Sequence, residues 1–309
     1  MTDPRAMSRA HRRAHDDREC PACEQRSYCP LTMVRGTQIV QCTACGLATW
    51  NWQGFDPETF YDASYWRSHD PHKGYADYFA LAAATQRTHT ARLRWIRKAP
   101  SVATRPIRLL DAGCGPGFFV QAAARSGFTA AGVELSQAAV SHARDELGQN
   151  VWQGRVEPAD LHDGPYDVVT LWDVIEHLPD PAASLAALSG VLNPGGLLAV
   201  STGDVTSLTA RLSGARWHLF TLPEHLWFHT PNSLRRLLRR AGLHPIDCRY
   251  EVCWYTVRYL AERLEAMFGS RGWISSRLGA IGRRVVPATL ADVVTVLARK
   301  PRRLRQRPV

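Results

Sequence analysis

Residues 107–120, IRLLDAGCGPGFFV, carry the pattern that decides the fold. Ile107 to Gly113 is a short apolar run that reads as a buried strand, and it ends in glycines at Gly113, Gly115 and Gly117. FFVQAAARS follows as a helix, with Gly127 at its C′ position. A strand that passes through a glycine turn into a helix leaves backbone N–H groups pointing outward at the C-terminal edge of a parallel sheet. The rest of the chain repeats the unit. FTAAGVE (128–134) is a second strand, and Ser136 is expected to N-cap a helix ending near Gly148. YDVVTLWD (166–173) is another strand, and 181–192 is a helix with Leu185, Leu188 and Leu192 on one face. LNPGG is expected to turn the chain into the strand LLAVST, and Thr230-Pro231 opens a helix that Gly242 closes. LHPIDCRYEVCW and TLADVVTVLARK read as two final strands around a helical excursion at 256–285. Alternating strands and helices of this kind predict an α/β fold with a doubly wound parallel sheet.

Charge at the glycine turn selects the ligand class. Glu134 closes the second strand 21 residues after Gly113, where a carboxylate can accept both hydroxyls of a ribose. Dinucleotide sites space their glycines Gly-x-Gly-x-x-Gly, so that backbone can approach a pyrophosphate. Here the spacing is Gly-x-Gly-x-Gly, and Asp111 stands just before it. An acid there repels a pyrophosphate and pairs with an ammonium group. S-adenosylmethionine has an ammonium, a sulfonium and no phosphate, so electrostatics favour it over a nicotinamide dinucleotide.

Near the N-terminus, Cys20-Pro-Ala-Cys23 and Cys42-Thr-Ala-Cys45 form two CxxC pairs separated by 18 residues. That is the spacing of a four-thiolate zinc ribbon, and four thiolates close the metal to water, so its role is structural. Cys29 lies between the pairs as a bystander or a substitute ligand, whereas Cys114, Cys248 and Cys253 fit as small core fillers.

With 45% hydrophobic and 21% charged residues, the 309-residue chain has enough material for about two domains and is not a disordered chain. No stretch approaches the roughly 18 apolar residues of a membrane span. The basic N-terminus is not followed by an apolar run, so no secretory leader is expected and the cytoplasm is the default compartment. Of the net charge of +10, residues 271–309 carry +9, from ten Lys or Arg against Asp292 alone. Such an end is a solvated terminus or a contact for anionic phosphates on a substrate, a nucleic acid or a membrane surface. The expected organisation is a disordered tail (1–19), a zinc ribbon (20–50) and an aromatic-rich helical lid or linker (51–105). The main α/β domain (106–300) and a basic tail (301–309) follow. Tyr61, Tyr65 and Tyr75 of the lid are placed to lie over a pocket mouth.

LLDAGCGPGFFV, GVELS, YDVVTLWDVIEHLPDP, LNPGGLLAVST and PEHLWFHTPNSLRRLLRRAG together resemble a class I S-adenosylmethionine-dependent methyltransferase, of the bacterial subset with an N-terminal zinc ribbon. The likeness runs from about Cys20 to Pro301 and implies a Rossmann-like, seven-stranded sheet. It implies that Gly113, Gly115 and Gly117 line the methionine and ribose, that Asp111 supports the loop, and that Glu134 and Leu135 meet the ribose. Arg155 and Val156 would meet the adenine, although family members often carry an acid where Arg155 stands, and Trp172 and Asp173 would flank the cofactor.

Methyl transfer requires an aligned nucleophile and a base for its proton. Two Glu-His pairs lie in loops beyond the strands: Glu176-His177 and Glu224-His225. His225, Glu224 and His177 are the catalytic candidates, with His229, His218 and Tyr255 behind them. Zinc-ribbon sugar C-methyltransferases use a similar Glu-His element for proton abstraction, although they tend to have Tyr-Phe where this chain has Trp227-Phe228. Trp217, Trp227 and Trp254 either wall an acceptor pocket or pack in the core. The expected activity is methylation of an oxygen or carbon on a small, sugar-containing or secondary metabolite. The alternatives are an RNA base methyltransferase and a non-catalytic S-adenosylmethionine-binding scaffold. Peripheral membrane contact through the basic C-terminus is compatible with the first reading.

Overall fold

The computed structural model describes residues 18–66, 78–79, 82–99, 106–268 and 273–302. Most of the expected N-terminal tail, Tyr75 and most of the basic tail lie outside the described residues. The first CxxC turn leads into β1 (Tyr28–Val34), which pairs antiparallel with β2 (Thr37–Cys42). Arg35 and Gly36 join them with φ of 48° and 82°, the pair of positive values that a two-residue hairpin turn requires. Gly46 (φ 82°) forms the second knuckle, and β3 (Ala48–Thr49) then pairs antiparallel with β2.

The aromatic stretch folds as two single-turn helices, α1 (Pro57–Phe60) and α2 (Ala63–Trp66). Asp56 caps α1 by accepting the Glu58 N–H. The helical part of the expected lid or linker is α3 (Ala82–Lys98). Its Leu93, Trp95 and Ile96 are buried against one face of the main sheet.

That sheet begins with β4 (Ile107–Ala112), α4 (Phe118–Arg125) and β5 (Phe128–Glu134). The chain continues through α5 (Gln137–Ser141), a wide π turn (His142–Glu146) and β6 (Val151–Gln153). Next come β7 (Tyr166–Trp172), α6 (Pro181–Gly190), β8 (Leu192–Gly203), α7 (Leu208–Ser213), β9 (Trp227–Phe228) and α8 (Pro231–Arg240). The described chain closes with β10 (His244–Tyr250), β11 (Cys253–Thr256), α9 (Val257–Phe268), β12 (Val285–Ala288) and β13 (Val293–Arg299). Seven strands form one sheet in the order β10-β13-β8-β7-β4-β5-β6. β13 runs antiparallel to both its neighbours, and the pairs from β8 to β6 are parallel. Leu109 and Leu110 on β4 and Val168, Val169 and Leu171 on β7 have no exposed surface. Consecutive residues are buried because helices cover both faces, so these strands read as apolar runs rather than alternations.

Local expectations are refined in three places. LNPGG is not a separate turn: β8 starts at Leu192, which pairs with Tyr166, and a register shift before Val168 absorbs the extra residues. Ser136 starts its helix without a side-chain cap and instead accepts the indole N–H of Trp66 at 2.8 Å. The excursion at 256–285 is only partly helical, because β11 and β12 pair antiparallel at its base and two 3₁₀ turns follow α9.

The ribbon is not a separate bead. β9, which lies between β8 and α8 in the chain, joins the ribbon sheet as its fourth strand, pairing Ala48 with Phe228 and Thr49 with Trp227. Side chains reinforce the seam. Thr49 Oγ1 donates to the Leu226 carbonyl (2.7 Å) and the Trp50 indole donates to the His225 carbonyl (2.8 Å). Thr230 and Asn232 both donate to the Cys45 carbonyl, at 3.3 and 3.1 Å. Thr49 is 1% exposed, so Thr49→Val strands a buried carbonyl and is expected to lower unfolding stability by about 1–3 kcal/mol. Denaturant titration checks this, and an unchanged midpoint would mean that the seam carries no weight.

Candidate active site

The glycine turn after β4 needs its glycines. Gly113, Gly115 and Gly117 have φ of 69°, 53° and 84°. A Cβ at Gly113 would come within 2.6 Å of Val174, and one at Gly117 within 2.8 Å of Ala143. Glu134, 7% exposed at the end of β5, accepts the Gly115 N–H (2.8 Å) on one oxygen and the Ser136 N–H (2.9 Å) on the other. Asp111, 3% exposed, accepts the Thr170 hydroxyl at 2.6 Å. Burial pushes Asp111 up to about 7 and raises Glu134 as well. Two buried carboxyls held above their ordinary range beside the glycine turn suit a cationic ligand and oppose an anionic one. The residues present therefore fit S-adenosylmethionine.

The other cofactor candidates surround this turn unequally. Leu135 is half-buried and Val156 is buried. The Arg155 side chain is turned outward, with its guanidinium paired to Glu58 of α1 and, at 3.7 Å, to Glu157. Its backbone N–H donates to Asp160 at 2.7 Å. Trp172 is buried at the end of β7, and its indole N–H has no hydrogen-bond partner among the described residues. Asp173 follows with φ 56° and accepts the Ser201 hydroxyl at 2.9 Å.

The two Glu-His pairs, 48 positions apart in the chain, form one cluster. The rings of His177 and His225 lie 4.6 Å apart and nearly perpendicular. The Leu226 N–H donates to the Glu176 carbonyl at 2.8 Å, which ties their loops together. His225 Nδ1 is 2.8 Å from the Leu219 carbonyl, and His177 Nδ1 is 2.9 Å from the Glu224 carbonyl. A carbonyl only accepts, so His225 Nδ1 carries the proton and its Nε2 keeps a lone pair. Burial pulls His177 down to about 4 and His225 well below an ordinary imidazole, so both are neutral at pH 7. Burial, with the charge of Asp173 second, pushes Glu176 up to about 8, and it accepts the Thr202 hydroxyl at 2.9 Å. Glu224 is also raised by burial, and one of its oxygens is buried without a partner. Tyr61 of the lid places its hydroxyl 2.7 Å from His177 Nδ1, and Tyr65 hydrogen-bonds Glu224. One donor atom each from Glu176, His177 and His225 lies within 4.8 Å of the others, close enough to share a cation.

The weaker candidates lie elsewhere. His229 is fully buried beside the Ile175 backbone, His218 faces Asp292 at 3.6 Å, and Tyr255 stacks on Tyr259. Trp217 and Trp227 are core residues whose indoles donate to Asp292 and to the Leu178 carbonyl. Trp254 is half-buried, with Arg87 over its ring. Sequence reasoning missed Arg92 of α3. This buried guanidinium is bidentate to Glu251 (2.7 and 3.0 Å), reaches Asp173 at 3.3 Å and lies 4.2 Å from the centre of the Trp172 ring. It stands among several arginines on one helix, and nothing in the local sequence marks it.

In the ribbon, the sulfurs of Cys20 and Cys45 are 3.4 Å apart and those of Cys23 and Cys42 3.5 Å, and all four donors fall within 4.8 Å. A tetrahedral site with metal–sulfur bonds of roughly 2.3 Å separates its sulfurs by about 3.8 Å, so the four fit a divalent cation. A hydrogen bond from Cys45 draws Cys20 down to about 5, while that bond raises Cys45 and burial raises Cys23 to about 11. Four thiolates at this spacing need a cation to ionise together. Cys29 is exposed and outside the cluster, and Cys114 is buried as expected of a core filler.

A reversed penultimate strand in a seven-stranded sheet, with a carboxylate-guarded glycine turn at its edge, defines a class I S-adenosylmethionine-dependent methyltransferase. The chain belongs to the methyltransferase-domain family, whose model matches residues 83–247. It is 36% identical over 164 residues to a ubiquinone biosynthesis O-methyltransferase of Thiobacillus denitrificans, covering 49% of this chain and 70% of that one. It is 35% identical over 168 residues to the protein of the same name from Aromatoleum aromaticum, covering 50% and 71%. Among solved structures, magnesium protoporphyrin IX methyltransferase from Synechocystis PCC 6803 with bound SAM aligns at a TM-score of 0.49 and 15% identity, over 80% of this chain and 99% of that one.

Glu134→Ala leaves the Gly115 and Ser136 N–H groups without their acceptor. It is expected to weaken S-adenosylmethionine binding by about 1–3 kcal/mol. Titration calorimetry reads this directly, and parental affinity in the variant would remove Glu134 from the site.

Proposed function

We propose that the chain methylates a hydroxyl oxygen of a small acceptor, with His225 taking the acceptor's proton. The observation that carries this reading is the pair of buried imidazoles, with rings 4.6 Å apart and each Nδ1 within hydrogen-bond distance of a backbone carbonyl, on a loop whose Val174 packs against Gly113 of the glycine turn. When bound, S-adenosylmethionine supplies a methyl group on a sulfonium, which departs by in-line displacement. Gly113, Gly115, Gly117 and Glu134 would hold that cofactor, with Asp111 supporting the turn from beneath. His177 packs edge-on against His225 and fixes its angle, while from the lid Tyr61 meets His177 and Tyr65 meets Glu224. Desolvation keeps the imidazoles unprotonated, so they are ready to accept a proton as the oxygen attacks. The O-methyltransferase names of the relatives support oxygen as the acceptor atom.

The four cysteines would hold Zn²⁺ as a closed structural site, and residues 51–99 would form the lid. With no open coordination position, the metal takes no part in the transfer and serves to position the β3–β9 seam beneath His225.

His225→Ala is expected to lower turnover by a factor of about 10²–10⁴ while S-adenosylmethionine affinity stays within twofold. A labelled-methyl transfer assay beside calorimetry separates the two. In the parent, a depressed imidazole is protonated only at lower pH, so the acid limb of kcat/KM should fall below the 6.5 of a free imidazole. Equal turnover in variant and parent, or a limb at or above 6.5, would take the base away from His225.

A further inference from the structure

Among the described residues, six of the eleven exposed large apolar side chains lie on α7, α9 and the turns that follow α9. Leu208 and Leu212, 70% and 69% exposed, lie four residues apart on α7 and so share a stripe. Trp273, Ile274 and Ile281 are exposed on the turns that follow α9, and Leu264 is exposed on α9 itself. α9 touches α7 and both 3₁₀ turns, so these segments form one unit.

The unit is tied rather than loose. Glu265 accepts the Ser275 N–H (3.1 Å) and hydroxyl (2.8 Å) and also the Ile274 N–H. Arg258 donates to the Ser275 carbonyl at 3.1 Å, and the Val257 N–H donates to the Arg284 carbonyl at 2.9 Å. Single exposed apolar residues are ordinary, but a held cluster of them marks a contact surface.

Charge identifies the partner. Arg211, Arg277, Arg283 and Arg284 are exposed in the same unit, and Glu262 is the exposed acid among its described residues. The Arg277 guanidinium lies 4.6 Å from the centre of the Trp273 ring. Leucine and tryptophan among arginines is the composition of a surface that sits at the boundary of lipid headgroups and acyl chains. No described helix is long and apolar enough to cross a membrane, so the contact is with the surface. The unit also sits at the sheet edge that carries the chemistry. α7 leaves the C-terminal end of β8, and the Val205 N–H just before it donates to the His229 carbonyl, beside the strand that follows His225.

We propose that this face docks on an anionic lipid bilayer, with Leu208, Leu212, Trp273, Ile274 and Ile281 entering the headgroup boundary and the arginines meeting lipid phosphates. The docking does not depend on which acceptor is methylated, so its failure would leave the transferase reading standing.

Co-sedimentation of the full chain with vesicles tests this. Phosphatidylcholine vesicles with and without phosphatidylglycerol are compared at low and high salt. The parent should bind the phosphatidylglycerol vesicles at least tenfold more tightly than the neutral ones, and salt should weaken that binding. A Leu208→Ser, Leu212→Ser, Trp273→Ser variant should lose at least tenfold in partition while keeping parental S-adenosylmethionine affinity, which shows that it is folded. A variant lacking residues 303–309 should stay within threefold of the parent. Parental binding by the triple variant, loss of binding only on removing 303–309, or equal binding to neutral vesicles would each overturn the proposal. Absence of vesicle binding together with a dimer that the triple variant abolishes would assign the face to a second copy of the chain instead.

Discussion

Two residue pairs anchor the segment that carries the candidate base: Ala48 with Phe228 and Thr49 with Trp227. Between β8 and α8 the chain makes a long connection that includes α7, and a segment of that length would ordinarily be mobile. Here it becomes the edge strand of another sheet. The Leu226 peptide is gripped on both sides, its N–H by the Glu176 carbonyl and its C=O by Thr49. His225, one residue earlier, gives its own carbonyl to Trp50. An imidazole whose neighbours are fixed this way has little freedom left. A cysteine cluster that looks remote in sequence therefore reaches the candidate base through backbone hydrogen bonds.

The second constraint is dielectric. The site gathers Asp111, Glu134, Glu176 and Glu224, and burial raises every one of them, while it lowers His177 and His225. A buried group that cannot be paired adopts its neutral form. The exception is Glu251. Although burial opposes it, Arg92 keeps it charged and below the ordinary carboxylate range. That ion pair supports Asp173 and Trp172 from behind.

Much of this was legible in the sequence, for identifiable reasons. The glycine turn, Glu134 and the CxxC pairs act through short-range geometry, so spacing alone reveals them. Thr230-Pro231 was equally readable, and its capping box with Ser233 forms as the residue types suggest. Long-range juxtaposition was not legible. Nothing in DVIEH and PEHLW states that their imidazoles meet, and two residues of β9 are too few to show a strand pattern. Arg92 and Glu251, 159 residues apart, carry no local signal, because a buried ion pair exists only once the fold has closed. Ser136 was read as a side-chain cap, but tertiary structure supplied a different donor in the Trp66 indole.

The most direct test of the seam is amide hydrogen exchange with and without a zinc chelator. If the cysteine cluster positions the candidate base, chelation should speed exchange at Trp227 and Phe228 by at least tenfold and leave the amides of β4 and β5 unchanged. Full protection at Trp227 and Phe228 after the metal is stripped would contradict the coupling, and loss of protection throughout the main sheet would show that the ribbon supports the whole fold rather than this strand.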